Sequence, residues 1–115
     1  MITTSWDHLE PEKMSETITR QSFSGIEATL ARFYLARGAL VSRHSHVSEQ
    51  FTIVLSGALK LIFDDREHVL RKGDIMCIAG NEPHAAEAVE DTWVIDFFAP
   101  RREDWIQKKD TYLRK

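Results

Sequence analysis

Residues 38–57 read GALVSRHSHVSEQFTIVLSG, and their spacing decides the fold. Two histidines, His44 and His46, stand two residues apart, Glu49 and Gln50 follow, and a glycine closes each end. On an extended strand residues i and i+2 face the same side, so the spacing predicts that His44 and His46 aim both imidazoles at one point from one strand. Neutral imidazole is the commonest protein ligand for a divalent transition metal, and an amide or carboxylate oxygen across the next turn can supply another donor. The stretch therefore predicts half of a metal site, carried by a β-barrel.

Outward from this stretch, turn signals recur at short intervals: Ser56-Gly57, Asp64-Asp65, Lys72-Gly73 and Gly80-Asn81. Between and beyond them lie EQFTIVL, ALKLIFD, EHVLR, DIMCIA, HAAEAV and TWVIDFF, and upstream TITRQSF and IEATLARFYLA flank a hairpin connection at Ser24-Gly25. Short strands at this beat predict an antiparallel sandwich or barrel, an all-β fold. Residues 1–16 lack a clear period and are expected to form an N-terminal arm with at most one helical turn, Trp6 docking on the barrel or on a partner. Residues 17–115 form the barrel and its tail. The tail, REDWIQKKDTYLRK, has the charge pattern and the Trp105, Ile106 spacing of a short surface helix, and Pro100 ends the strand before it. His8 and His68 have no ligand-type neighbours and are read as surface residues.

At 115 residues the chain is one domain. A net charge of −3 gives no broad basic surface, which argues against nucleic acid and for a small-molecule ligand. No window approaches the roughly eighteen apolar residues of a membrane span, and the N-terminus has no signal-peptide core. A cytoplasmic protein is expected. The lone Cys77, in the apolar run IMCIA, is read as a buried thiol. In EQFTIVL, Gln50, Thr52 and Val54 share one side while Phe51, Ile53 and Leu55 share the other. A strand apolar on both faces needs a cover outside the barrel, and a homodimer is expected, with the chain's own N-terminal strands as the alternative.

The second half of the site is read from Gly73 to His84, GDIMCIAGNEPH. A strand ends at Ile78, a tight turn passes through Gly80-Asn81, and Pro83 fixes the backbone before His84. Asn tolerates the left-handed conformation such a turn requires. His84 then opens the next strand as the third imidazole.

The patterns Gly38-x5-His44-x-His46-x3-Gln50-x6-Gly57 and Gly73-x5-Ala79-x-Asn81-x2-His84 resemble the two motifs of the cupin superfamily, small jelly-roll β-barrels that hold one metal. Ala79 and Asn81 stand where that family usually has Pro and Gly. The resemblance implies a fourth ligand after the second histidine, commonly Glu; here the spacing lands on Gln50, with Glu49 one residue earlier. Parity favours Gln50, because a strand that keeps Thr52 and Val54 inward turns Gln50 inward and Glu49 away. The expected set is His44, His46, Gln50 and His84 around one divalent transition metal: Mn, Fe, Co, Ni, Cu or Zn. Three neutral imidazoles and a neutral amide leave the metal its full charge, suited to an anionic small molecule.

The last strand carries a second constellation. Asp96 lies among apolar neighbours, where a carboxylate is costly unless paired or functional. Val94, Asp96 and Phe98 share a face, and Arg102 follows Pro100. Asp96 is a candidate acid or base, Phe98 an aromatic wall, and Arg102 a fork for a substrate carboxylate. An ion pair of Asp96 with Arg101 or Arg102 that merely closes the barrel explains the same residues. The run Asp96, Phe98, Pro100, Arg102, Asp104, Trp105 is similar to the end of small cupins of the pectin-degradation (KdgF) type. That resemblance implies pocket roles for Asp96, Phe98 and Arg102. It also implies conversion of 4,5-unsaturated monouronates into the linear keto form. The alternatives are iron-dependent dioxygenation and a non-catalytic ligand-binding barrel.

Overall fold

The computed structural model describes residues 1–108. Ten strands and one short helix follow one another: β1 (Glu12–Lys13), β2 (Ile18–Ser24), β3 (Thr29–Leu35), β4 (Leu40–His44), β5 (Glu49–Ser56), β6 (Ala58–Phe63), β7 (Glu67–Arg71), β8 (Ile75–Ile78), β9 (His84–Ala88), β10 (Thr92–Ala99) and α1 (Glu103–Ile106). They form two antiparallel sheets, a six-stranded one in the order β1-β2-β3-β10-β5-β8 and a four-stranded one in the order β4-β9-β6-β7. The sheets face each other across the core, as the expected all-β barrel requires.

Period-two alternation sets which side chains enter that core. In β10, Thr92, Val94, Asp96 and Phe98 are buried, while Trp93 and Phe97 are exposed. In β5, Gln50, Thr52 and Val54 are buried, and Glu49, Phe51 and Leu55 face out. Ala31, Phe33 and Leu35 of β3 meet Leu59, Leu61 and Phe63 of β6 between the sheets. Burying each large apolar side chain contributes about 1.5–3 kcal/mol, and a one-residue slip would reverse a whole strand. Register is thereby fixed along every core strand.

The turns obey the residues that form them. Gly57 has φ +88°, and a Cβ there would collide with the Asp91 carbonyl and Thr92. Only glycine fits that close approach. Asn81 takes φ 66°, the left-handed conformation expected of it. β10 ends at Ala99, and the Ala99–Pro100 peptide is cis.

The arm docks on the barrel. His8 N–H and Leu9 N–H both bond the Ser5 carbonyl, giving one helical turn, and β1 extends the sheet beside β2. Gln21 Nε2 donates to the carbonyls of Trp6 and Leu9, and the Arg32 guanidinium lies between the Trp6 and Trp93 rings. Among the described residues, no helix is long and apolar enough to cross a membrane.

Two expectations are corrected and one is sharpened. Cys77 is exposed, because β8 turns Met76 and Ile78 inward and Ile75 and Cys77 outward; an apolar run does not reveal which of its faces is covered. The expected short tail helix spans Glu103–Ile106; Glu103 and Ile106 are exposed, while Trp105 is buried against Phe33 and Phe98 at ring distances of 5.9 and 4.9 Å. Gln107 and Lys108 form a turn, and residues 109–115 of the expected tail lie outside the described residues. Finally, β4 stops at His44, so His46 belongs to the loop that follows and not to the same strand.

Candidate metal centre

The three histidines reach one point by three routes. His44 ends β4, where the ladder with β9 shifts register between Val41 and His44. One extra residue on β4 forms a bulge, and a bulge re-aims the side chain that follows it. In an unbroken ladder with Val41 inward, Arg43 would face the core and His44 would not. The bulge places His44 directly opposite His84, the first residue of β9, after the turn that Asn81 and Pro83 prepare. His46 approaches from the loop, which is pinned at two points: Ser48 Oγ–H donates to the Pro100 carbonyl, and Asn81 N–H donates to the His46 carbonyl. A Cβ on Gly80 would press on the Val47 carbonyl at 2.5 Å, so this loop and the turn before His84 pack together only with glycine there. One nitrogen from each of His44, His46 and His84 lies within 4.8 Å of the others.

Each ring is oriented by a main-chain carbonyl. Nδ1–H of His44 donates to Ser42 O at 2.7 Å, that of His46 to Ser48 O at 2.8 Å, and that of His84 to Glu82 O at 2.8 Å. A carbonyl only accepts, so the proton sits on Nδ1 and the Nε2 lone pair of each neutral ring is left for a ligand. The environment keeps the rings neutral. Burial foremost, with the charge of Arg102 and the neighbouring histidines, lowers His44 and His46 to about 4. His84 is lowered for the same leading reason.

From the other sheet, β5 and β10 contribute Gln50 opposite Phe98 and Thr52 opposite Asp96. Gln50 Oε1 lies 3.0 Å from His46 Nε2, and Gln50 Nε2 donates to Thr52 Oγ1 at 2.8 Å. Thr52 Oγ1 in turn donates to Asp96 Oδ1 at 2.7 Å. The first of these contacts tests whether the residues fit a metal. His46 Nε2 and Gln50 Oε1 are both acceptors, so at 3.0 Å they face each other lone pair to lone pair. A cation held by both relieves that repulsion, and the donor set of three imidazoles and an amide oxygen suits a first-row divalent ion. Glu49 is exposed on the opposite side of β5, as parity requires.

Asp96, Phe98 and Arg102 line the same pocket as His44, Gln50 and His84, together with Phe33 and Trp105. Burial raises Asp96 from 3.8 to about 6, against the lowering effect of the Thr52 and Gln50 hydrogen bonds and of Arg102. Its proton is thus exchangeable near neutral pH. No ion pair joins Asp96 to either arginine among the described residues: Arg101 reaches Glu103, and Arg102 grips Asp104 through Nε at 2.9 Å and one terminal nitrogen at 2.7 Å. Asp96 feels the charge of Arg102, and its hydroxyl partner is Thr52. Arg102 is buried, stacked on Phe98 at 4.8 Å and Trp105 at 4.5 Å, and brings positive charge to the pocket while Asp104 occupies much of its fork. The cavity measures about 60 Å³, on the order of four or five waters at roughly 10–15 Å³ each. It has room for the reacting end of a small molecule.

The cupin-domain family model matches residues 31–98, more than half of the 115-residue chain. The chain is a cupin. Among curated proteins, this cupin is 29% identical over 75 residues to the pectin degradation protein KdgF of Dickeya dadantii (strain 3937), a match covering 64% of this chain and 68% of that one. Among solved structures, KdgF from Halomonas sp. superposes with a TM-score of 0.81 at 27% identity, over 88% of this chain and 96% of that one. An RmlC-like cupin from Shewanella frigidimarina gives a TM-score of 0.82 at 25% identity, over 89% and 93% of the two chains.

Two residues of the pocket are given no site role by the sequence reading. Thr52 is an ordinary strand residue until the register sets Asp96 opposite it. Trp105 reads as part of a surface helix until the chain turns back over Phe98.

Proposed function

We propose that this cupin is a metal-dependent isomerase of small carboxylated sugars, acting on 4,5-unsaturated uronates and yielding the linear keto acid in the cytoplasm. The observation that carries this reading is the line from the Gln50 amide, whose oxygen faces His46, through hydrogen bonds to Thr52 and on to Asp96. It sets a near-neutral carboxyl in the same pocket wall as the ligand set. Kinship with pectin degradation proteins supports the substrate class.

His44, His46, His84 and Gln50 would hold the ion, which when bound supplies Lewis-acid stabilisation of negative charge developing on the substrate oxygens. Opening of the sugar ring converts the ring-oxygen side of the double bond to an enol. Ketonisation then adds a proton at carbon C4 and removes one from the enol oxygen, so the overall change is an isomerisation with no co-reactant. Asp96 is placed to carry that proton, its carboxyl near 6 serving as both donor and acceptor. Arg102 supplies positive charge for the substrate carboxylate, and Phe98, at 5.5 Å from His46 in ring distance, walls the site. The test is metal-dependent loss of the substrate's conjugated absorbance, since ketonisation removes the double bond next to the carboxylate.

A further inference from the structure

We infer that Thr52 is the positioning residue that fixes which atom of Gln50 faces the imidazoles, an inference that rests on the metal-site reading above. A hydroxyl has one hydrogen. Thr52 donates it to Asp96 Oδ1, so towards Gln50 it can only accept. Gln50 Nε2 fills that acceptor and also turns towards the Asp96 carboxylate, and the amide oxygen is left facing His46. The chain of groups has a single polarity, running from the amide nitrogen through the hydroxyl to the carboxylate.

Packing cannot impose this choice, because the oxygen and nitrogen of a primary amide are nearly the same size. The consequence of the choice is large. With Oε1 outward, Gln50 is a metal ligand. With its NH2 outward, it would donate to the His46 lone pair and withdraw two ligands at once. Thr52 is 1% exposed, so the hydroxyl is enclosed with its two partners.

Titration with Co(II), whose visible ligand-field bands report the donor set, tests this directly. Thr52→Val keeps the side chain's shape and removes both hydrogen bonds. It is expected to weaken Co(II) affinity by about 10–100-fold and to change the bands, while Thr52→Ser restores both. Thr52→Ala carries the same expectation should the valine variant fail to fold. Wild-type protein that binds no Co(II) overturns the metal-site reading itself. Wild type that binds, with a hydroxyl-free variant of equal affinity and spectrum, overturns the role of Thr52; so does a serine variant that behaves like the valine one.

Discussion

Thr52 on β5 and Asp96 on β10 face each other across the ladder, and the Thr52 hydroxyl donates to Asp96 Oδ1 at 2.7 Å. That bond joins the carboxyl to the amide that faces His46. A buried carboxylate in an apolar strand is costly by itself, and this contact gives it a partner and a place beside the ligand set. Gln50, beside the three-histidine cluster, and the buried carboxyl of Asp96 are therefore joined across two neighbouring strands.

Asp96→Asn keeps the shape of the side chain and removes its ability to exchange a proton. Turnover is expected to fall about 10²–10⁴-fold, with metal content unchanged by elemental analysis. In the wild type the rate limb governed by Asp96 should titrate near pH 6, and the variant should lack it. A variant with wild-type turnover would assign the proton to another group.

The fourth ligand is tested by a pair of neighbours. Gln50→Ala is expected to weaken metal binding by at least the roughly tenfold seen when a supporting group is lost, and Glu49→Ala to leave it unchanged. Calorimetric titration with one divalent metal checks both. The reverse ranking would mean that β5 is turned the other way.

Stability without metal should depend on pH with a sign that can be worked out. His44 and His46 are lowered from 6.5 to about 4, and His84 is also lowered. Between about pH 4 and 6.5 the unfolded chain binds more protons at these rings, so stability rises with pH. Asp96 acts in the opposite sense. Raised to about 6, it holds its proton more tightly when folded, and its contribution is lost as pH rises through that value. Three rings outweigh one carboxyl, so the urea midpoint of metal-free protein is expected to be higher at about pH 6.5 than at about pH 4.5. Replacing His44 and His46 by Asn should flatten or reverse the difference.

Trp105 lines the pocket, packed edge-to-face against Phe98 and Phe33 with Arg20 at 4.2 Å and Arg102 at 4.5 Å from its ring. Trp105→Ala is expected to cost about 3–5 kcal/mol, the usual loss for emptying an aromatic core site, read from urea unfolding. A loss under about 1 kcal/mol would mean that the helix only rests on the barrel.

Much of this architecture is legible in the chain itself. The run EHVLR coincides with β7, the glycines and Asn81 mark the turns they form, and the parity of Gln50, Thr52 and Val54 places the amide inside. These features are local, and local chemistry determines them. What the sequence hides depends on partners far along the chain. His46 lies beyond its strand because a bulge in β4 and the pinned loop, rather than simple alternation, bring the two rings together. Cys77 faces out because β8 is an edge strand whose outer face has no cover among the described residues. The fork of Arg102 meets Asp104, a neighbour visible in the sequence but given no reason there to turn back.

The most direct test of the central claim is the ultraviolet absorbance of a 4,5-unsaturated monouronate mixed with the protein, first stripped of metal and then reloaded. Metal-dependent isomerisation predicts that the conjugated band decays only with the reloaded protein and persists with Asp96→Asn loaded to the same metal content. A band that stays constant with fully loaded wild-type protein would contradict it.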